Sequence, residues 1–220
     1  VAIIHQVIPV GAFQANCNLL ADEESKTAII IDPGDEPRRI LDEVRNLGAR
    51  VTHLLHTHCH LDHITGTRAV REATGASILI HPKDRFLYDG LKEQYGSMVR
   101  LFGLGLGEGE DPLPADGKLA EGASIPLGKS KITVLHTPGH TPGSCSFLLE
   151  DKDGPRLFTG DTLFAGAIGR TDLEGGDMEL ELESIRTRLL TLNPETPVFP
   201  GHGPSTRIGV ERKGNPWLQG

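Results

Sequence analysis

The stretch THCHLDH, Thr57 to His63, decides the reading of this chain. Its last six residues, from His58 to His63, hold three histidines, an aspartate and a cysteine. Imidazoles this close repel one another when protonated and pack poorly in a core, so the cluster reads as a metal site. His58 and His60 alternate, and on extended backbone such residues point to the same side. Asp62 and His63 follow where the chain should turn into a helix. Zinc takes nitrogen and oxygen ligands at about 2.0–2.2 Å, usually four of them. Four donors from one loop can serve two ions but complete neither coordination shell, so further donors must come from elsewhere.

Three candidates supply them: His140 in HTPGHTPGS, Asp161 in FTGDTLF and His202 in FPGHGP. Each stands beside glycine at the end of a predicted strand, where loops leave a sheet and sites are commonly built. Glycine lets backbone approach closely there. The single carboxylate, Asp161, can bridge two cations roughly 3.5–4 Å apart.

The surrounding chain predicts an α/β frame. IIHQVIPV, NLLADE and TAIIID read as strands of a hairpin-rich start. DEPRRILDEVRNLG reads as a helix capped by Asp35, with Pro37 in its first turn, Gly48 at its end and Ile40, Leu41, Val44 and Leu47 as its buried stripe. VTHLLHT is a strand leading into the opening motif. Residues 63–74 suit a helix, followed by the strand SILIH. Between 82 and 117 the pattern weakens to a short helix near KDRFLYD and a loop or lid, LFGLGLGEGEDPLPADG, whose Glu108, Glu110 and Asp111 read as solvated. Its glycines do not match GxGxxG, so they do not point to a dinucleotide. ASIPLG, KITVLHT, SCSFLLE and PRLFTG read as further strands. DMELELESIRTRLLTL is a helix capped by Asp177, and PVFPGH closes with a strand. Strands then helix, twice over, predict a sandwich with helices outside two sheets.

Composition narrows the function. The 220 residues are 37% hydrophobic and 24% charged, as in a globular protein, and suffice for one sizeable core. A net charge of −8 argues against a nucleic-acid partner held through phosphates. No apolar run reaches membrane-spanning length, and VAIIHQVIPVGAF lacks the marks of a signal peptide. Three dispersed cysteines form no disulfide framework, so a reducing, cytoplasmic setting is expected. Cys17, Cys59 and Cys145 read as buried thiols, Cys59 alternating away from its neighbouring histidines. His56 reads as a neighbour below the site, and His5, His53 and His81 as ordinary surface or half-buried residues. Asp32, in IDPG, reads as both a turn residue and an acceptor that orients a ligand.

HxHxDH followed by Gly-His, Gly-Asp and a final Gly-His resembles the metallo-β-lactamase superfamily, from about residue 7 to residue 217. IDPG at Ile31–Gly34 belongs to that resemblance. GRTDLEGGD at Gly169–Asp177 and FPGHGPSTRIGVERKGNPWL near the end are similar to single-domain glyoxalase II-like hydrolases. The resemblance implies a four-layer αββα sandwich, with 1–220 as one such domain. It implies a first metal site of His58, His60 and His140, a second of Asp62, His63 and His202, and Asp161 as the bridge. Two divalent ions per chain are expected, zinc first and iron or manganese as alternatives. A hydroxide shared by the metals would be the nucleophile, oriented by Asp62. Asp32, Thr57 and His136 would stand behind the ligands.

The substrate class this implies is a thioester or ester of hydroxyacylglutathione type. Full-length glyoxalase II enzymes carry a C-terminal helical domain that holds glutathione, and none is expected here; Arg170, Arg207, Arg212 and Lys213, together with Arg100, are the cations that could serve an acidic thiol. Alternatives are a mononuclear iron persulfide dioxygenase using His58, His140 and Asp161, a β-lactamase or lactonase, and a non-catalytic metal-holding module. A monomer or homodimer is expected, with no membrane partner.

Overall fold

A computed structural model describes residues 2–102 and 111–219; the predicted acidic loop residues Glu108 and Glu110 lie outside that range. The chain opens with strands β1 (Ile3–Val10), β2 (Ala15–Asp22) and β3 (Thr27–Ile31), helix α1 (Pro37–Leu47) and strand β4 (Arg50–Leu55). Short helices α2 (Leu61–Ile64) and α3 (Thr67–Thr74), strand β5 (Ser77–Ile80), helices α4 (Arg85–Asp89) and α5 (Leu91–Phe102), and strand β6 (Gly117–Lys118) complete the first half. The second half brings β7 (Ser124–Leu127), β8 (Ser130–His136), β9 (Cys145–Asp151), β10 (Gly154–Gly160) and the small hairpin β11 (Leu163–Phe164) and β12 (Ala167–Ile168). Helix α6 (Met178–Ser184), strands β13 (Pro197–Pro200) and β14 (Thr206–Arg207), and helix α7 (Ile208–Gly214) follow.

Two six-stranded sheets result, β1-β2-β3-β4-β5-β6 and β14-β13-β10-β9-β8-β7. Strand alternation sorts the apolar residues into three layers. In β3, Ala28 and Ile30 join a core with Ile40 and Val44 of α1 and Val70 of α3. Ile29 and Ile31 turn the other way, onto Val134, Phe147 and Phe158 between the sheets. Leu157 and Val198 face Ile185, Leu189 and Ile208 on the far side. Each fully buried aliphatic or aromatic side chain of this kind stabilises the fold by about 1.5–3 kcal/mol. Helix, sheet, sheet, helix is the order these layers dictate, and it is the predicted αββα sandwich.

Several local expectations change. Asp35 does not cap α1: the cap residue is Glu36, left-handed at φ 47° and without a side-chain cap bond. The Asp35 carboxylate instead accepts from the adjacent Glu36 N–H, and Glu36 accepts from Gly11 N–H across the loop. Gly48 does end the helix, at φ 59°, and Asp177 does cap α6 by accepting from Leu180 N–H. The predicted 63–74 helix is two pieces, because Gly66 N–H bonds back to Gly34 O. The long C-terminal helix passes from α6 into a π-helical turn at Ile185–Leu189. The weak 82–117 region holds a second helix, α5, that the sequence pattern does not announce. No helix among the described residues is long and apolar enough to cross a membrane.

The candidate metal centre

The ligand residues sit just past strand ends on one rim of the sandwich. His58, His60, Asp62 and His63 follow β4, His140 follows β8, Asp161 follows β10 and His202 follows β13. Parallel pairing of β3 with β4 and of β10 with β13 points their ends the same way. The last loop is strapped to the first hairpin: Ala15 and His202 form an antiparallel bridge, and Asn16 Nδ2 donates to Pro200 O and Gly203 O.

Three groups converge there: His58, His60 and His140; His58, His63 and Asp161; Asp62, His63 and His202. His60 Nδ1 lies 2.9 Å from His140 Nε2, which lies 3.2 Å from His58 Nε2. His63 Nε2 is 3.2 Å from His202 Nε2 and 3.4 Å from Asp161 Oδ1. Asp62 Oδ2 is 3.1 Å from His202 Nε2, and Asp161 Oδ2 is 3.6 Å from His202 Nε2 and 3.8 Å from His140 Nε2. Tetrahedral zinc–imidazole geometry separates donor atoms by roughly 3.3 Å, and these spacings scatter about that value.

Tautomers are fixed from outside. The Nδ1–H of His140 donates to Arg170 O at 2.7 Å, that of His202 to Phe13 O at 3.0 Å and that of His63 to Asp32 Oδ2 at 3.0 Å. Thr57 Oγ1 donates to Asp32 Oδ2, which leaves its lone pair for His58 Nδ1–H at 3.1 Å. Four imidazoles thus aim Nε2 inward, the atom a metal would take once any proton on it is displaced. His60 differs and presents Nδ1.

Electrostatics divide the cluster. Burial lowers the His58 imidazole far below its ordinary range, with neighbouring imidazoles adding to the effect. Burial and then His140 push His60 down to about 3, and burial lowers His140. Burial opposes charge at His63 also, yet the carboxylates of Asp62 and Asp161 outweigh it and raise this group strongly. Burial would raise Asp62 and Asp161, but the charge on His63 holds both below the carboxylate range. Burial therefore disfavours charge on the imidazoles of one half, while the carboxylates of the other half favour a proton on His63. Cations would replace that proton and separate the facing lone pairs. Asp161 Oδ1, buried and without a hydrogen-bond donor, adds a vacant acceptor. The donor set fits two divalent cations sharing Asp161.

Asp32 and Thr57 lie beside the imidazoles of His63 and His58. Asp32, 1% exposed, accepts from Thr57 N–H, Thr57 Oγ1–H and His63 Nδ1–H. His136 does not back a ligand: it donates from Nε2 to Pro142 O and stacks on His81. His56 lies beneath the site between Leu79 O and Thr67 Oγ1, and all three thiols are buried and free. Of the proposed substrate cations, Arg170 pairs with Asp172, Arg207 with Glu195, and Arg212 with the carbonyls of Leu190 and Leu192. Arg170 serves the site through its backbone carbonyl instead. Lys213 sits in the last turn of α7 and is exposed.

Two buried acids escape the sequence reading. Glu181 accepts from His140 N–H at 2.8 Å, and burial pushes its carboxyl up to about 9. Asp84 is wholly buried, which pushes its carboxyl up to about 6 against three donors from Thr141, Gly143 and Cys59. Gly201 is a steric requirement: a Cβ there would lie 2.2 Å from Asp161 Oδ1 and 2.8 Å from His63 Cε1. Gly201→Ala is expected to displace Asp161 and lower kcat/KM by about 10²-fold, the cost of a misplacement near 1 Å. An unchanged kcat/KM in a folded variant would refute this.

The Metallo-beta-lactamase superfamily model matches residues 10–202. The chain is 42% identical over 214 residues to "Hydroxyacylglutathione hydrolase GloC" of Haemophilus influenzae, covering 97% of each. Among solved structures, "BLEG-1 B3 metallo-beta-lactamase" superposes with a TM-score of 0.88 at 37% identity, covering 99% of this chain and 100% of that one. "TTHA1623 in a di-iron-bound form" gives a TM-score of 0.82 at 38% identity, covering 97% and 100%. The seven converging donors therefore occupy a fold of known chemistry, and the chain belongs to the metallo-beta-lactamase superfamily of metal-dependent hydrolases.

Proposed function

We propose that this protein is a dinuclear thioesterase of the hydroxyacylglutathione hydrolase type. The observation that carries the proposal is the reach of Asp161, whose two oxygens face His63 on one side and His140 and His202 on the other. Two divalent cations held by His58, His60, His140, Asp161, Asp62, His63 and His202 would supply hydroxide at neutral pH and polarise the substrate carbonyl.

The residues do the rest. His58, His63 and His140 form a buried floor that excludes water, while His60, Asp62, Asp161 and His202 are partly open and form the mouth. Asp62, on the open side beside His202, orients the attacking water. No neutral acid stands among the ligands to protonate a leaving group. A thiolate needs none, since a thiol pKa is about 8.5, whereas an alkoxide does. The 42% identical relative named a hydroxyacylglutathione hydrolase supports the same class. The likeness to a B3 metallo-beta-lactamase favours β-lactams as a second reading. The closeness of Asp62, His63 and His202 speaks against a single iron on His58, His140 and Asp161.

The test is metal analysis followed by assay of S-lactoylglutathione. About two ions per chain and turnover that a chelator abolishes and zinc, iron or manganese restores are expected. One iron with oxygen uptake on glutathione persulfide and no thioester cleavage would overturn the proposal. Cleavage of β-lactams alone would favour the second reading.

A further inference from the structure

Residues 56–60 have no regular secondary structure, yet His58 and Cys59 are buried. Buried backbone groups outside helices and sheets need side-chain partners. Those partners come from the segment that the sequence pattern leaves least defined. Asp84, 0% exposed at the end of the turn Pro82–Asp84, accepts from Cys59 N–H at 3.1 Å, between His58 and His60. The same carboxylate accepts from Thr141 Oγ1 at 2.8 Å and from Gly143 N–H at 2.6 Å, just past His140. Gly143 leaves room for it: a Cβ there would lie 2.5 Å from Asp84 Oδ1. Gln94 of α5 grips the loop again. Its Oε1 accepts from Leu61 N–H at 3.0 Å, and its Nε2 donates to Cys59 O at 2.9 Å and Leu87 O at 2.8 Å.

One carboxylate thus ties the His58–His60 loop to the His140 loop, and one amide brackets His60 on both sides. The other ligand group is held differently: His63 by Asp32 and His202 by Phe13 O. We propose that Asp84 and Gln94 are positioning residues that set the affinity of the His58–His60–His140 cation site more strongly than that of the Asp62–His63–His202 site. The inference rests on the two-cation reading above. Loss of a partner that orients ligands typically weakens a metal by about 10–100-fold.

The full-length chain is titrated with zinc against a competing chelator in two backgrounds. His202→Ala isolates the first site and His60→Ala the second. Asp84→Asn keeps one acceptor oxygen and is expected to weaken zinc about 10-fold or more in the His202→Ala background, Asp84→Ala more so, with a smaller loss in the His60→Ala background. Gln94→Ala, at a half-buried position, repeats the test if either Asp84 variant fails to fold. Unchanged affinity in the His202→Ala background, or equal loss in both, overturns the inference. A wild-type chain that binds no zinc overturns the metal reading itself, which is a different result.

Discussion

Asp161→Ala is expected to lower kcat/KM on S-lactoylglutathione by about 10³-fold or more. Among the described residues, Asp161 is the one whose two oxygens reach both ligand groups. On the dinuclear proposal its loss would remove a ligand and a negative charge from each cation, and metal stabilisation of the reacting centre is worth several kcal/mol, roughly tenfold per 1.4 kcal/mol. The side chain is largely buried and its charge compensates His63 in the metal-free chain. Metal content should fall, and the melting temperature of the metal-free chain should fall as well, because a buried charge loses its partner. His202→Ala completes the experiment. A dinuclear hydrolase loses activity with it, whereas a single iron on His58, His140 and Asp161 keeps all three ligands. Full turnover in the Asp161→Ala chain would end the dinuclear proposal.

Asp32→Ala is expected to destabilise the metal-free protein by about 3–5 kcal/mol, the usual cost of breaking a buried, charged hydrogen-bond centre. Three donors lose their acceptor: Thr57 N–H at 2.7 Å, Thr57 Oγ1–H at 2.6 Å and His63 Nδ1–H at 3.0 Å. Asp32 is also left-handed, at φ 53°, a conformation that aspartate tolerates better than alanine. Urea unfolding with a chelator present isolates this effect from metal binding. A shift below about 1 kcal/mol would mean that water replaces the carboxylate at no cost. Asp32→Asn should recover part of the loss, since one oxygen remains to accept.

The sequence reading and the structure agree where chemistry leaves a residue signature. Imidazoles and carboxylates are conspicuous, so the seven donors stand out, and strand–helix alternation gives the layers. The partners of those donors are less visible. Arg170 and Phe13 act through carbonyls, which every residue has, so no pattern marks them. Asp84 belongs to no recognisable motif in KDRFLYD, although its side chain is fully buried. The α5 helix was obscured because Gly96 interrupts an otherwise mixed run, LKEQYGSMVRLF. The α1 cap falls at Glu36 and not at Asp35 because the IDPGD bend serves Asp32 beneath the site, and tertiary demand overrides local capping preference.

The strap between the first hairpin and the final ligand loop has a consequence for biosynthesis. His140 lies 82 residues beyond His58, and His202 lies 139 beyond His63. During translation the first donors emerge clustered but incomplete, and each later one arrives only after further strands have been made. Asn16 then waits for Pro200, 184 residues downstream, before the rim can close. The Asp62–His63–His202 group can therefore be completed only after the strands of both sheets through β13 have been made, whereas His58, His60 and His140 are all present well before it.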